Sequence, residues 1–156
     1  MITLKGIIDE DFVNYRVPSM TLMFPYCSFK CGKEYCQNYE LFNEPNITVD
    51  VDELCLRYIN NHITEAIVCQ GLEPFDSWKE LHHFIYTLRV KFDCYDDVVI
   101  YTGYDEASLD HELLDLKKLG NIVVKFEGYE PNQKPHYDSV LGVNLASDNQ
   151  YAERIC

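Results

Sequence analysis

The sequence has little positive charge and no long apolar run. Lysine and arginine number 13 against 26 aspartate and glutamate residues, which gives a formal net charge of −13. Because phosphates would be repelled, we expect no nucleic acid and no anionic membrane surface as a partner. The longest apolar run, residues 20–26, has the length of a strand and not of a membrane span. Residues 1–6 lack the basic and apolar parts of a signal peptide, so we predict a cytoplasmic protein.

The sequence also lacks internal repeats, linkers and low-complexity segments. At 156 residues, the chain can bury a real core but is short for two domains of ordinary size. We therefore predict that residues 1–156 form a single domain.

Apolar segments that read as buried strands alternate with segments of helical periodicity. The strands are predicted at residues 20–24, 64–69, 98–101 and 122–126. Helices are predicted after Asp50, after Asp76 or Ser77, and over residues 106–119. This alternation favours a parallel sheet with crossover helices, in which the functional site lies at the carboxyl ends of the strands.

Three of the seven cysteines lie close together, at Cys27, Cys31 and Cys36. In a reducing compartment, such cysteines suggest metal or redox chemistry rather than disulfides. Thiolates are the ligands of iron–sulfur clusters, and one loop with this spacing can bind three corners of a cubane. No fourth cysteine lies nearby, which would leave one iron open to a substrate. We therefore predict a 4Fe–4S cluster bound by these three residues.

A structural zinc site is the alternative for this loop, because zinc also accepts three thiolates with a histidine or carboxylate as the fourth ligand. The loop contains neither a C-x2-C pair nor a close histidine to support zinc. The cysteines at 55, 69 and 94 lie within predicted elements, where we expect small core residues.

The cysteine loop resembles that of the radical S-adenosylmethionine (radical SAM) enzymes, including an aromatic residue, Tyr35, before the last cysteine. The family pattern is C-x3-C-x2-C, whereas this chain has C-x3-C-x4-C. After the second strand, Gly71-Leu72-Glu73-Pro74 resembles the family's Gly-Gly-Glu-Pro, with leucine in place of the second glycine. The resemblance implies that Gly71 and Glu73 hold the methionine end of S-adenosylmethionine and that Tyr35 packs on the adenine. It also implies an α/β fold of the radical SAM type, a partial (incomplete) βα barrel with a mostly parallel sheet.

Further segments are similar to one subgroup, the activating proteins of anaerobic ribonucleoside-triphosphate reductase. They are Cys36-Gln37-Asn38, Tyr101-Thr102-Gly103-Tyr104, Glu127-Gly128-Tyr129 and the segment from Ser147 to Ile155. The resemblance implies that Thr102 and Gly103 lie beside the ribose or the methionine carboxylate. Asn149 and Gln150 would either close the site or form a surface turn.

The function implied by this resemblance is that of a radical SAM oxidoreductase. Such an enzyme cleaves S-adenosylmethionine into methionine and a 5′-deoxyadenosyl radical. That radical would take a hydrogen from a glycine of the large subunit of an anaerobic ribonucleotide reductase, and the electron would come from a donor such as flavodoxin or ferredoxin. No catalytic residue beyond the cluster ligands is implied.

Two alternatives to the activase stay open at this point. One is a radical enzyme that acts on another glycyl-radical protein or on a small molecule. The other is a non-catalytic zinc or iron–sulfur module, which would not respond to S-adenosylmethionine.

Overall fold

Strand-forming and helix-forming segments alternate along the chain. The computed structural model describes residues 1–27 and 39–156. Its strands are β1 (Ile2–Leu4), β2 (Gly6–Asp11), β3 (Ser19–Phe24), β4 (Ile47–Val49), β5 (Ala66–Gly71), β6 (Asp97–Tyr101), β7 (Ile122–Phe126), β8 (His136–Asp138), β9 (Val143–Leu145) and β10 (Tyr151–Arg154). Its α-helices are α1 (Val51–Ile59), α2 (Trp78–Val90) and α3 (Asp110–Lys117). Short 3₁₀ helices lie at Tyr39–Asn43, Pro74–Ser77 and Ala107–Leu109.

Six strands form one open, mixed sheet in the order β10-β7-β6-β5-β3-β2. The four central strands, β3, β5, β6 and β7, pair in parallel. The edge strands β2 and β10 pair antiparallel with their neighbours. The central strands are buried along nearly their whole length, as parallel strands covered on both faces usually are.

The prediction of a partial βα barrel of the radical SAM type was wrong, because the sheet is open and mixed. After β7 the chain does not build another crossover helix and parallel strand. It forms the two-stranded hairpin of β8 and β9 and then returns as the antiparallel edge strand β10. Within the residues that the structure describes, β2 and β10 remain at opposite edges, so the sheet does not close.

The four predicted strands are observed as β3, β5, β6 and β7, and β7 has the predicted bounds. The Asp50 carboxylate caps α1 by accepting from the Glu53 N–H at 3.1 Å. The predicted third helix is shorter than expected, because a 3₁₀ turn precedes α3. Helix α3 ends before Gly120, which has a φ of +82°, a backbone conformation that favours glycine.

The two faces of the sheet are covered by different layers. The helices pack on one face, where the core contains Leu22, Phe24, Ile67, Ile100, Val124 and Phe126 from the strands and Leu54, Phe84 and Leu116 from the helices. A smaller core on the other face contains Ala66, Val68, Val99 and Val123, covered by Tyr15, Leu141 and Leu145. The second face is thus covered by residues 12–17 and the segment around β9, and not by helices.

Two of the three cysteines that were predicted to be small core residues have that environment. Cys55 and Cys69 are fully buried in the core, whereas Cys94 is half-buried. No α-helix in residues 1–27 and 39–156 has the length and apolar character needed to cross a membrane.

Arg89 of α2 fixes the loops at the amino ends of β6 and β7. Its side chain is only 2% exposed. The guanidinium donates to the carbonyl oxygens of Cys94 and Gly120 at 2.8 Å and of Asn121 at 3.2 Å. Burial lowers its pKa. The carbonyls of Cys94 and Gly120 lie in loops, so Arg89 supplies donors to acceptors outside the strands and helices, whereas Asn121 O also accepts from the Val98 N–H of β6.

We expect Arg89→Met to lower the free energy of unfolding by about 2–4 kcal/mol, because the half-buried carbonyl oxygens of Cys94 and Gly120 lose their guanidinium donors. Arg57→Met is the matched control. Arg57 also makes a two-point contact, with Asp9, but its side chain is 47% exposed, so its loss should cost less than about 1 kcal/mol. Urea unfolding of both variants measures the difference, and equal costs would contradict this role for Arg89.

Candidate functional site

A cavity lies at the carboxyl ends of the parallel strands. The residues that the structure describes enclose about 350 Å³ there, a volume within the range of small-molecule sites. The parallel strands all end at this edge, because each crossover returns the chain to the opposite edge before the next strand begins. Loops that are far apart in the sequence therefore meet at the cavity.

Five of the predicted site residues line this cavity: Cys27, Gly71, Glu73, Thr102 and Gly103. Asn149 lies beside it, and its side-chain N–H donates to the Gly128 carbonyl at 2.9 Å. Cys31, Cys36 and Tyr35 lie outside the described residues. The roles given to all these residues stay predictions.

The loop after β5 is tied to the start of the cysteine loop by backbone hydrogen bonds. Leu72 N–H donates to Phe24 O at 3.1 Å, and Glu73 N–H donates to Tyr26 O at 2.7 Å. Gly71 has a φ of +96°, and a Cβ at this position would lie 2.6 Å from Phe24 N. A glycine is therefore required at 71 for the two loops to approach each other, and this brings Cys27 to the cavity wall.

Glu73 joins the loops after β5 and β6. Its carboxylate is 4% exposed and accepts from Gly103 N–H at 2.8 Å, Phe75 N–H at 3.1 Å and the Thr102 hydroxyl at 2.9 Å. Burial outweighs these hydrogen bonds and raises the pKa of Glu73 to about 7. The sequence singled out both loops, and the structure shows that one carboxylate holds them together.

Three side chains that the sequence analysis did not single out as site residues form one wall of the cavity: Gln70, Tyr101 and Lys125. They stand side by side on neighbouring strands. Tyr101 of β6 pairs with Lys125 of β7. Cys69 of β5 pairs with Ile100 of β6, so the next residue, Gln70, lies beside Tyr101. The Tyr101 hydroxyl donates to Asn14 O at 2.6 Å. Lys125 is the polar residue inside the apolar segment Ile-Val-Val-Lys-Phe, and this pattern in the sequence could have indicated the wall.

The segment after β9 holds the turn that follows β7. The Gln150 side-chain amide donates to Glu127 O at 3.3 Å, next to the contact of Asn149 with Gly128. Gln150 is buried and lines the cavity. Gln150 therefore lies at the wall of the cavity, and the roles expected for Asn149 and Gln150 stay predictions.

A family model described as a 4Fe–4S single cluster domain matches residues 15–143. The chain belongs to this family, which fits an iron–sulfur protein as predicted. No curated protein matches the chain significantly. The donor chemistry agrees with the family, because Cys27 places a half-buried thiol on the cavity wall.

The raised pKa of Glu73 predicts an unusual dependence of stability on pH. The folded protein keeps a proton that the unfolded chain releases between about pH 4.5 and 7. This contribution to stability is complete below pH 4.5 and is lost as the pH rises to about 7, with a magnitude of roughly 3 kcal/mol. We expect the free energy of unfolding of the wild type, relative to Glu73→Gln, to fall between pH 5 and pH 8.

Urea unfolding of both proteins in the same cluster-loading state measures this difference. Asp9→Asn is the control. The hydrogen bond from Arg57 lowers the pKa of Asp9, so the contribution of Asp9 to stability is lost as the pH falls, which is the opposite direction. A difference between wild type and Glu73→Gln that is constant from pH 5 to pH 8 would contradict the raised pKa.

Proposed function

We propose that the protein is a radical SAM enzyme that uses a 4Fe–4S cluster to cleave S-adenosylmethionine reductively. One observation carries this proposal. In a chain of the 4Fe–4S single cluster family, Cys27 shares a cavity with Gly71 and Glu73 of one family-like motif and with Thr102 and Gly103 of another.

Cys27 would hold the cluster together with Cys31 and Cys36. When bound and reduced, the cluster would supply the electron that splits the sulfonium–carbon bond to give methionine and a 5′-deoxyadenosyl radical. Three protein ligands leave one position for the amino and carboxylate groups of the substrate.

The contacts of Glu73 suggest how the methionine end would be bound. Its two carboxylate oxygens already accept from Thr102, Gly103 and Phe75. We therefore expect Glu73 to orient the loop after β5, while carbonyl groups of that loop accept from the amino group of the substrate.

Apolar side chains around the cavity suit a reactive radical. Leu72, Val143 and Leu145 line it beside the polar groups. By excluding water, they would protect the radical from side reactions before it meets its target.

We propose the large subunit of an anaerobic ribonucleotide reductase as that target, and a flavodoxin or ferredoxin as the electron donor. The support is the location of the segments that resemble the activating proteins. Thr102, Gly103, Gly128, Tyr129 and Gln150 all line the same cavity.

The test of the radical chemistry is anaerobic. We expect protein that has been loaded with iron and sulfide and reduced to convert S-adenosylmethionine into 5′-deoxyadenosine, as measured by chromatography. Cys27→Ala and Cys36→Ala should lose both the cluster spectrum and the product. Cys94→Ala should keep both, because Cys94 lies beside Asp96 near the amino end of β6. A fully loaded wild-type cluster that yields no product would contradict the proposal.

The proposed partner is tested separately. We expect the reductase large subunit to gain the electron paramagnetic resonance signal of a glycyl radical when it is mixed with the loaded, reduced protein and S-adenosylmethionine. The same mixture with Cys27→Ala is the control. Formation of 5′-deoxyadenosine without a glycyl radical would remove this partner and leave the radical SAM chemistry standing.

A further inference from the structure

Two segments that cover the second face of the sheet also line the cavity. They are residues 13–14, which follow β2, and residues 143–146, which belong to β9 and the position after it. The segments touch at Gly142, where a Cβ would lie 2.8 Å from the Cβ of Arg16. Beyond this contact both border the cavity. Their exposed members, Val13 and Asn144, mark where the cavity opens to solvent.

The side chains beside this opening are apolar and exposed. Phe12 is 64% exposed and Val13 is 74% exposed. Tyr137 of β8 is 65% exposed and pairs with Asn144 of β9, and residues opposite each other in a pair of strands lie on the same side. Apolar side chains exposed together at a concave site indicate contact with another molecule. We call Phe12, Val13 and Tyr137 the apolar rim.

A buried carboxylate fixes the backbone of the rim after β2. The side chain of Asp11 accepts from the Val13 N–H at 2.9 Å and from the side chains of Asn14 and Thr21. The Asn14 carbonyl in turn accepts from the Tyr101 hydroxyl. Because this backbone is already ordered, little conformational entropy is lost when a partner binds to it.

The described residues that line this side of the cavity carry no charge, although the chain has a net charge of −13. Within the part of the chain that the structure describes, the side-chain amide of Asn144 makes no hydrogen bond. An amide offers both a donor and an acceptor. The lining therefore suits a neutral polar ligand, such as the main chain of a polypeptide, better than a phosphate or a carboxylate.

Strand β9 presents main-chain groups to the cavity. Side chains alternate along a strand, yet four consecutive residues, 143–146, line the cavity, so the main chain forms part of its wall. Among the described strands, β9 pairs with β8 alone, so its other edge has no neighbouring strand. An extended polypeptide can pair with an edge of this kind.

We propose that the apolar rim and the free edge of β9 form the docking surface for the glycine-bearing segment of the protein partner, which binds in extended form as an added strand. This inference rests on the proposed function, because that function takes a glycine of a partner protein as the target of the radical. The surface leads directly into the cavity, which favours this occupant over a second copy of the chain. A glycine also suits the site, because no side chain separates its main chain from the reacting groups.

The docking surface is tested with the whole large subunit. We expect Phe12→Ala and Tyr137→Ala each to weaken its binding about 10-fold, as measured by calorimetry with S-adenosylmethionine present and the cluster oxidised. The yield of glycyl radical after reduction, at a limiting concentration of the large subunit, should fall with the affinity. Leu114→Ala is the matched control and should change neither value, because Leu114 is 60% exposed but lies in α3, on the other face of the sheet.

Two measurements on the same variants separate docking from other effects. Formation of 5′-deoxyadenosine without the large subunit reports the state of the cluster and the cavity. Size-exclusion chromatography reports the oligomeric state. An equal loss of uncoupled product would mean that the substitutions damage the cavity, and a change in oligomeric state would mean that the rim is an interface between copies of this chain. Either result would overturn the docking role.

The added strand is tested with a short synthetic peptide that copies the glycine-bearing segment of the large subunit. We expect this peptide to compete with the large subunit for the protein. Because a strand directs every second N–H towards its neighbour, methylation of alternate main-chain nitrogens should weaken competition about 10-fold, and methylation of the nitrogens between them should have a much smaller effect. A peptide that does not compete, or effects without this period of two residues, would contradict strand addition.

The outcomes for the two proposals differ. If the wild type cleaves S-adenosylmethionine and both rim variants bind the large subunit as the wild type does, the docking surface is wrong and the radical SAM proposal stands. If the loaded wild type does not cleave S-adenosylmethionine, the proposed function falls and this inference falls with it.

Discussion

The buried carboxylate of Glu73 is the contact on which the geometry of the site depends. It accepts from Thr102 and Gly103, which follow a different strand and lie about 30 residues further along the chain. The backbone of Glu73 is in turn bonded to Tyr26 O, next to Cys27. Hydrogen bonds of this kind are stronger away from water, and a lost partner costs more there. One residue thus links the three loops: its backbone N–H holds the cysteine loop, and its carboxylate joins the loops after β5 and β6.

The parallel pairing of β3, β5, β6 and β7 explains why these loops can be linked at all. Parallel strands need crossovers, and the crossovers bring every carboxyl end to the same edge. The chain then departs from a barrel, since β8, β9 and β10 follow β7 in place of further βα units. The segments that replace those units supply part of the cavity wall, because Val143 and Gln150 both line it.

The sequence predicted the central strands because burial on both faces demands apolar runs such as Ile-Val-Val at the start of β7. It did not predict β2, whose residues Gly-Ile-Ile-Asp-Glu-Asp are half polar and pair only through the tertiary fold. The site loops were predictable because they follow strand ends. The contact of Glu73 with Thr102 was not, because it depends on strand register, which local sequence does not specify.

Leu72 is the clearest departure from the motif that Gly71-Leu72-Glu73-Pro74 resembles, and the structure explains why the loop tolerates it. The left-handed conformation and the close backbone approach both occur at Gly71. Leu72 is not among the described non-glycine residues with positive φ, so its side chain adds no backbone strain of this kind. The half-buried leucine instead forms an apolar part of the cavity wall. A cavity proposed to contain a radical benefits from such a wall, because each apolar side chain there displaces water from the reacting groups.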